Sequence, residues 1–300
     1  MIRRLAGMLL AAGAVGATAF FLLTAPDPLA AADLPQHVAD VANGERLFNA
    51  GGCSSCHAAP GAKGDDQLRL GGGRELVTDF GTFRVPNISP DPASGIGGWS
   101  DLDFANAMVR GLGPSGEHLY PAFPYTSYAR MPLADVLDLH AYMKTLPAVE
   151  GAAAGHDLPF PFSIRRGLGL WKRLHLDPAP VVAVAEDDPV LLRGRYLVEG
   201  PGHCGECHTP RDATGGMRLD RWLAGAPNPD GEGRIPDITP GPEGIGDWSV
   251  EDIAYSLETG FTPEFDSFGG SMVAVQEHLA LLPAEDREAI AAYLKAVPAR

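Results

Sequence analysis

The chain has 300 residues, room for two domains of ordinary size, and 38 acidic against 23 basic side chains give it a net charge of −15. So acidic a body excludes nucleic acid as a partner and suits a docking protein with a basic patch. Its 37 glycines and 27 prolines favour small helical units with loops wrapped around a ligand over continuous sheets.

At the N-terminus, Arg3 and Arg4 precede an uncharged apolar run from Leu5 to Leu23, with small residues after it. Residues 1–32 therefore read as a signal peptide or transmembrane anchor. The run is long for a signal-peptide core and close to a bilayer span, which favours an anchor in the bacterial inner membrane with Arg3 and Arg4 cytoplasmic. Ala30-Ala31-Ala32 supplies a cleavage site for the alternative, secretion into the periplasm after processing. Either fate puts the remaining chain on the exported side.

After a polar connector from Leu34 to Asp40, an amphipathic stretch around Asn43–Phe48 leads into Cys53-Ser54-Ser55-Cys56-His57. Cys-x-x-Cys-His is the attachment motif of c-type haem: two thiols one helical turn apart reach the edge of one porphyrin, and the adjacent imidazole ligates the iron. Further along come Arg84-Val85-Pro86-Asn87-Ile88 and Gly95-Ile96-Gly97-Gly98-Trp99-Ser100, then a predicted helix over Leu102–Arg110 with Ser100 as its N-cap. Arg84 and Trp99 suit contact with haem, and Pro86 reads as a loop-shaping residue. A last helix is predicted over Leu133–Thr145.

A segment rich in Pro, Gly and Ala, residues 150–188, separates this unit from a second copy. Within it Ser163–Leu174 reads as a short basic helix, suited to packing as a linker or to contact with anionic lipid or a partner. The second copy repeats the first. Arg193–Val198 leads into Cys204-Gly205-Glu206-Cys207-His208; Arg234-Ile235-Pro236 and Gly244-Ile245-Gly246-Asp247-Trp248-Ser249 follow, with helices over Val250–Glu258 and Ala284–Ala296. The expected architecture is mainly α: two tandem class I-like cytochrome c domains, residues 40–149 and 189–300, after an N-terminal apolar helix.

All four cysteines fall in the two motifs. Paired Cys-x-x-Cys can also bind zinc or act as a redox pair, but zinc ribbons bring their pairs closer together, and no strand-helix-strand pattern surrounds either motif. Two covalently bound haem c groups are expected, on Cys53, Cys56 and His57 and on Cys204, Cys207 and His208. For the sixth iron ligands the candidates are Met131, just ahead of the last helix, with His118 as runner-up, and Met272, with His278 as alternative. Counted from the last helix, Met131 corresponds to Leu282, so the second copy carries a longer helical approach after Met272 or a shifted loop. Two closed irons imply electron transfer without substrate chemistry; one open iron would imply a dihaem enzyme such as a peroxidase.

The runs Gly81–Asp91, Gly95–Ser100 and His118–Tyr125 resemble the cytochrome c subunits of bacterial membrane-bound alcohol and gluconate dehydrogenases. The resemblance covers both units, the first more closely. It implies His57 with Met131 and His208 with Met272 as iron ligands, a dehydrogenase as electron donor, and a cytochrome, quinone or terminal oxidase as acceptor. This chain has two haem motifs where those subunits have three.

Overall fold

The computed structural model describes residues 2–229, 231 and 233–300. Its elements are helices α1 (Ile2–Leu23), α2 (Val41–Ala50), α3 (Cys53–His57), α4 (Asp101–Arg110), α5 (Tyr125–Tyr128), α6 (Leu133–Met143), α7 (Leu168–His175), α8 (Pro189–Glu199), α9 (Gly205–His208), α10 (Val250–Thr259), α11 (Met272–Leu279) and α12 (Ala284–Ala296). Two short antiparallel ribbons complete them: β1 (Glu75–Thr78) with β2 (Gly81–Arg84), and β3 (Ala226–Pro227) with β4 (Arg234–Ile235). The chain is mainly helical, with an apolar helix at its N-terminus.

Local chemistry sets the helix boundaries. Asp40 and Asp188 accept the first amides of α2 and α8, and Pro189 occupies the first turn of α8, where its missing N–H costs nothing. Ser100 and Ser249 each form a reciprocal capping box, with Asp103 and Asp252. Each such cap is worth about 1 kcal/mol. Gly111 and Gly260 end α4 and α10 with φ of 58° and 78°, a left-handed turn that glycine adopts without a Cβ penalty. The predicted helices therefore appear within two residues of their expected ends. The basic segment forms a 3-10 turn, Arg165–Gly167, that runs into α7.

Burial is concentrated in two cores. The first gathers Leu47, Phe48, Phe104, Met131, Val136 and Tyr142; the second gathers Leu197, Trp222, Leu223, Ile253, Ile290 and Tyr293. In each, the helix before a Cys-x-x-Cys-His motif crosses the last helix of its half at a glycine. A Cβ on Gly44 would lie 2.1 Å from the Asp138 carbonyl oxygen, and one on Gly194 would lie 1.9 Å from that of Ala289. The crossings then stack Tyr142 and Tyr293 beside those glycines. The duplicated Gly and Tyr of the sequence are thus the two halves of one packing device.

Residues 150–188 are packed rather than loose. Asp157 bridges Thr82, the Gly151 carbonyl accepts from Asn87, and the Glu199 carboxylate receives the amides of Val181 and Val182. Glu199 is nearly fully buried and also accepts the Tyr293 hydroxyl. These bonds tie the intervening segment to both cores.

Candidate functional site

The first motif sits on a single helical turn. Gly52, with φ of 52°, turns the chain into α3, and the Ser55 hydroxyl donates back to the Gly52 carbonyl. Cys53 and Cys56 then share one face, and the chain leaves the helix directly after His57, at Ala58. In the second motif Cys204 opens α9 and Gly205 lies so close to the Trp222 ring that a Cβ would approach it to 2.1 Å. No disulfide joins the four cysteines.

Each motif histidine is aimed by a backbone carbonyl. The His57 Nδ1 donates to the Pro86 carbonyl at 2.9 Å, and the His208 Nδ1 donates to the Pro236 carbonyl at 2.8 Å. These bonds fix the tautomer and leave Nε2, on the opposite side of the ring, as the lone-pair nitrogen for a metal. Burial drives His57 down to about 4 against the raising effect of its carbonyl partner, and it lowers His208 as well. Both imidazoles are therefore neutral at physiological pH, as a metal ligand must be. Pro86 and Pro236 thus do more than shape their loops: an X-Pro carbonyl at the same place in each copy supplies the acceptor. Arg84, by contrast, pairs with Glu75 at 2.8 Å and donates to the Gly155 carbonyl.

A second repeated contact escaped the sequence reading. The His57 carbonyl accepts the amide of Gly72 and the His208 carbonyl accepts that of Gly225, each at 2.8 Å. Both glycines have positive φ, 72° and 73°, and both lie against the Pro-containing segment that follows β2 or β4, where a side chain would collide with backbone. The only sequence signal was a glycine inside each intervening loop, at unequal distances from the histidine.

The methionines occupy different settings. Met131 is 5% exposed and belongs to the buried cluster on which Cys53 packs. Met272 is half-buried, begins α11, and packs against the cluster on which Cys204 rests. Leu282, in the position corresponding to Met131, is 3% exposed and precedes Pro283 as Met131 precedes Pro132. The helix α11 is the longer approach anticipated after Met272. Both histidine alternatives have Nε2 committed elsewhere: His118 to the Thr24 carbonyl at 2.9 Å and His278 to the Ser54 hydroxyl at 2.7 Å.

Contacts to Ser54 join the two attachment segments. His278, from the second core, meets Ser54 inside the first motif. His203, next to Cys204, reaches the Gly51 carbonyl at 3.1 Å and places its ring edge-on to Tyr128. Glu206, inside the second motif, accepts from Thr126 at 2.9 Å and from Ser127. One non-cysteine position of each motif, Ser54 in the first and Glu206 in the second, therefore grips the opposite half. The donor set in each half, two thiols on one turn plus a neutral imidazole with one nitrogen held by a carbonyl, fits covalent haem c.

A cytochrome c family model matches residues 41–147. A diheme cytochrome c-type protein of Cereibacter sphaeroides is 56% identical over 262 residues, covering 87% of this chain and 86% of that protein. The fructose dehydrogenase cytochrome subunit of Gluconobacter japonicus is 37% identical over 280 residues, 92% of this chain and 55% of that subunit. The gluconate 2-dehydrogenase cytochrome c subunit of Pantoea cypripedii is also 37% identical, over 290 residues, 90% of this chain and 62% of that subunit. The chain thus spans little more than half the length of these two dehydrogenase subunits.

Proposed function

This chain belongs to the cytochrome c family, and from that premise we propose that it is a dihaem electron carrier of the bacterial periplasm. Two tandem cytochrome c domains, 40–149 and 189–300, each hold one haem c, through Cys53, Cys56 and His57 and through Cys204, Cys207 and His208. Met131 and Met272 complete the two iron coordination spheres. The chain is an electron-transfer component and not itself a catalyst; the dihaem peroxidase reading finds no support among relatives named for dehydrogenase cytochrome subunits. By analogy with them, a periplasmic or membrane-bound dehydrogenase is the donor and a cytochrome, quinone or terminal oxidase the acceptor, with α1 holding the protein at the inner membrane.

Bound haem c supplies a one-electron iron couple. The protein's own part is to hold each imidazole neutral and oriented, to bury the ligands away from water, and to keep the two sites at fixed separation. Pro86 and Pro236 orient the histidines, and the Met131 environment excludes solvent from the first site. The observation that supports the proposal is that each attachment segment contacts the opposite half: Gly51 with His203, Ser54 with His278, and Glu206 with Thr126. Two haems held by segments so fastened would be kept at one separation by the protein.

Pyridine haemochrome quantitation with magnetic circular dichroism of the oxidised protein tests this reading. Two haems per chain, both with the far-red band of Met-ligated ferric haem, are expected. A high-spin or bis-His haem would overturn at least one methionine assignment.

A further inference from the structure

Helix α1 is 22 residues long, contains an 18-residue window of mean hydropathy 2.0, and has no buried residue, Phe20 alone being part-buried. At 1.5 Å per residue it reaches ~33 Å, enough for a hydrocarbon core of ~30 Å. Only its C-terminal end is built into the body. Thr24 is fully buried and its carbonyl accepts from His118. The Phe21 carbonyl accepts from Arg166 at 2.8 Å and the Leu23 carbonyl from Arg173 at 2.7 Å, while the Arg166 guanidinium lies 4.9 Å from the Phe21 ring centre. Gly169 of α7 packs so tightly on Thr24 that a Cβ would come within 2.6 Å of its Cα. Cations and donors thus satisfy the orphan carbonyls of the helix end, the sign its dipole favours. Beyond it, the Leu29 amide donates to Asn106 at 2.7 Å, and Leu29 and Leu34 pack on the first core.

The segment that forms this socket has an unusual surface. Between Asp157 and Asp177 there is no acidic residue, while Arg165, Arg166, Lys172 and Arg173 lie there in a chain of net charge −15. Its apolar side chains face outward: Phe160 is 80% and Leu174 75% exposed, with Phe162, Ile164 and Leu170 also exposed. Exposed aromatic and aliphatic side chains interleaved with arginines, at the end of a bilayer-length helix, match the chemistry of the membrane headgroup region.

We propose that residues 160–174 form a membrane-surface element: Phe160, Ile164, Leu170 and Leu174 enter the headgroup region of the periplasmic leaflet, while Arg166 and Arg173 stay on the carbonyls at the end of α1. This rests on the reading of α1 as a retained anchor. Together, socket and surface element fix which face of the cytochrome looks at the membrane and leave the opposite face to soluble partners.

The test uses full-length holoprotein in vesicles of phosphatidylethanolamine and phosphatidylglycerol, with spin labels placed through Phe160→Cys, Leu174→Cys and, as a remote exposed control, Phe265→Cys. All three side chains are at least three-quarters exposed, so replacement removes little packing. Intact mass of the same samples reads whether residues 2–23 are retained. The expected result is a retained helix, with labels at 160 and 174 more accessible to oxygen than to an aqueous nickel chelate and the order reversed at 265. A retained helix with nickel favoured at 160 and 174 overturns the surface element alone and makes the segment a protein-docking face. Loss of residues 2–23 overturns the anchored reading, and the proposal with it, by a separate readout.

Discussion

The two halves of the molecule set their motif histidines identically and their candidate methionines differently. In both, a glycine crossing seats the helix before the motif, a proline carbonyl aims the histidine, and a left-handed glycine amide caps the histidine carbonyl. On the far side, Met131 is enclosed just ahead of Pro132, while the matching place holds Leu282 and the candidate methionine has moved to the start of α11. Covalent attachment tolerates little variation, because two thiols and an imidazole must meet one flat ring from one helical turn. A thioether on a loop can come from more than one position, so that side tolerates divergence.

The helix crossings are also fastened differently. In the first half the Asp138 carboxylate receives Asn43, His37 and the Asp40 amide. In the second, buried Asp286 receives a bidentate guanidinium from Arg193, at 2.7 and 2.8 Å. The geometry of the crossing is common, and the polar clamp that locks it is not.

The largest effect expected concerns attachment. Cys56→Ser and Cys207→Ser should each remove covalent haem from one half only, so pyridine haemochrome content falls to half in either variant; loss of both haems from one substitution would mean the halves do not load independently. Next comes ligation. Met131→Leu and Met272→Leu should each abolish half of the far-red ferric haem band. Adding Leu282→Met to Met272→Leu should restore it if the ancestral position still faces the second iron, and no recovery would show that the distal loop has repacked.

Stability effects follow. Gly44→Val and Gly194→Val each force a side chain into backbone at under 2.5 Å and should cost about 1–3 kcal/mol or more by denaturant unfolding, similarly in the two halves. A much smaller loss in one half would mean that its crossing is the looser. The smallest effect is acid sensitivity. Burial alone would raise the Asp138 carboxyl, but Asn43, His37 and the Asp40 amide outweigh it and hold it below the ordinary carboxylate value. A depressed carboxylate contributes stability that is fully present above the unfolded value, ~3.9, and is lost as pH falls through the lower folded value. Protection factors of the α2 amides, corrected for the intrinsic pH dependence of exchange, should therefore fall in that acid window, and Asp138→Asn should flatten the dependence there.

Much of this arrangement was legible in advance. The two Cys-x-x-Cys-His motifs, the serine caps of α4 and α10, and the paired last helices follow from local chemistry, since thiol spacing, capping and helical periodicity all act within a turn or two. The proline carbonyls were visible as repeated residues, but their role was not, because a carbonyl acceptor is common to every residue and only its position relative to the imidazole gives it meaning. Arg84 is paired with Glu75 across the β1–β2 ribbon, a partner nine residues away that only the hairpin brings alongside it.

By itself, then, the sequence determined the two Cys-x-x-Cys-His motifs, the repeated residues around them and the capped helices beside them, because motif spacing and helix capping are short-range constraints written in consecutive residues. The tertiary structure alone decided which nitrogen each histidine offers, how Ser54, His203, Glu206 and His278 lock the attachment segments together, and how the end of α1 is socketed by Arg166, Gly169 and Arg173. Those contacts join residues far apart in the chain. They exist only once burial has fixed the approach of one surface to another, a condition that no local pattern encodes.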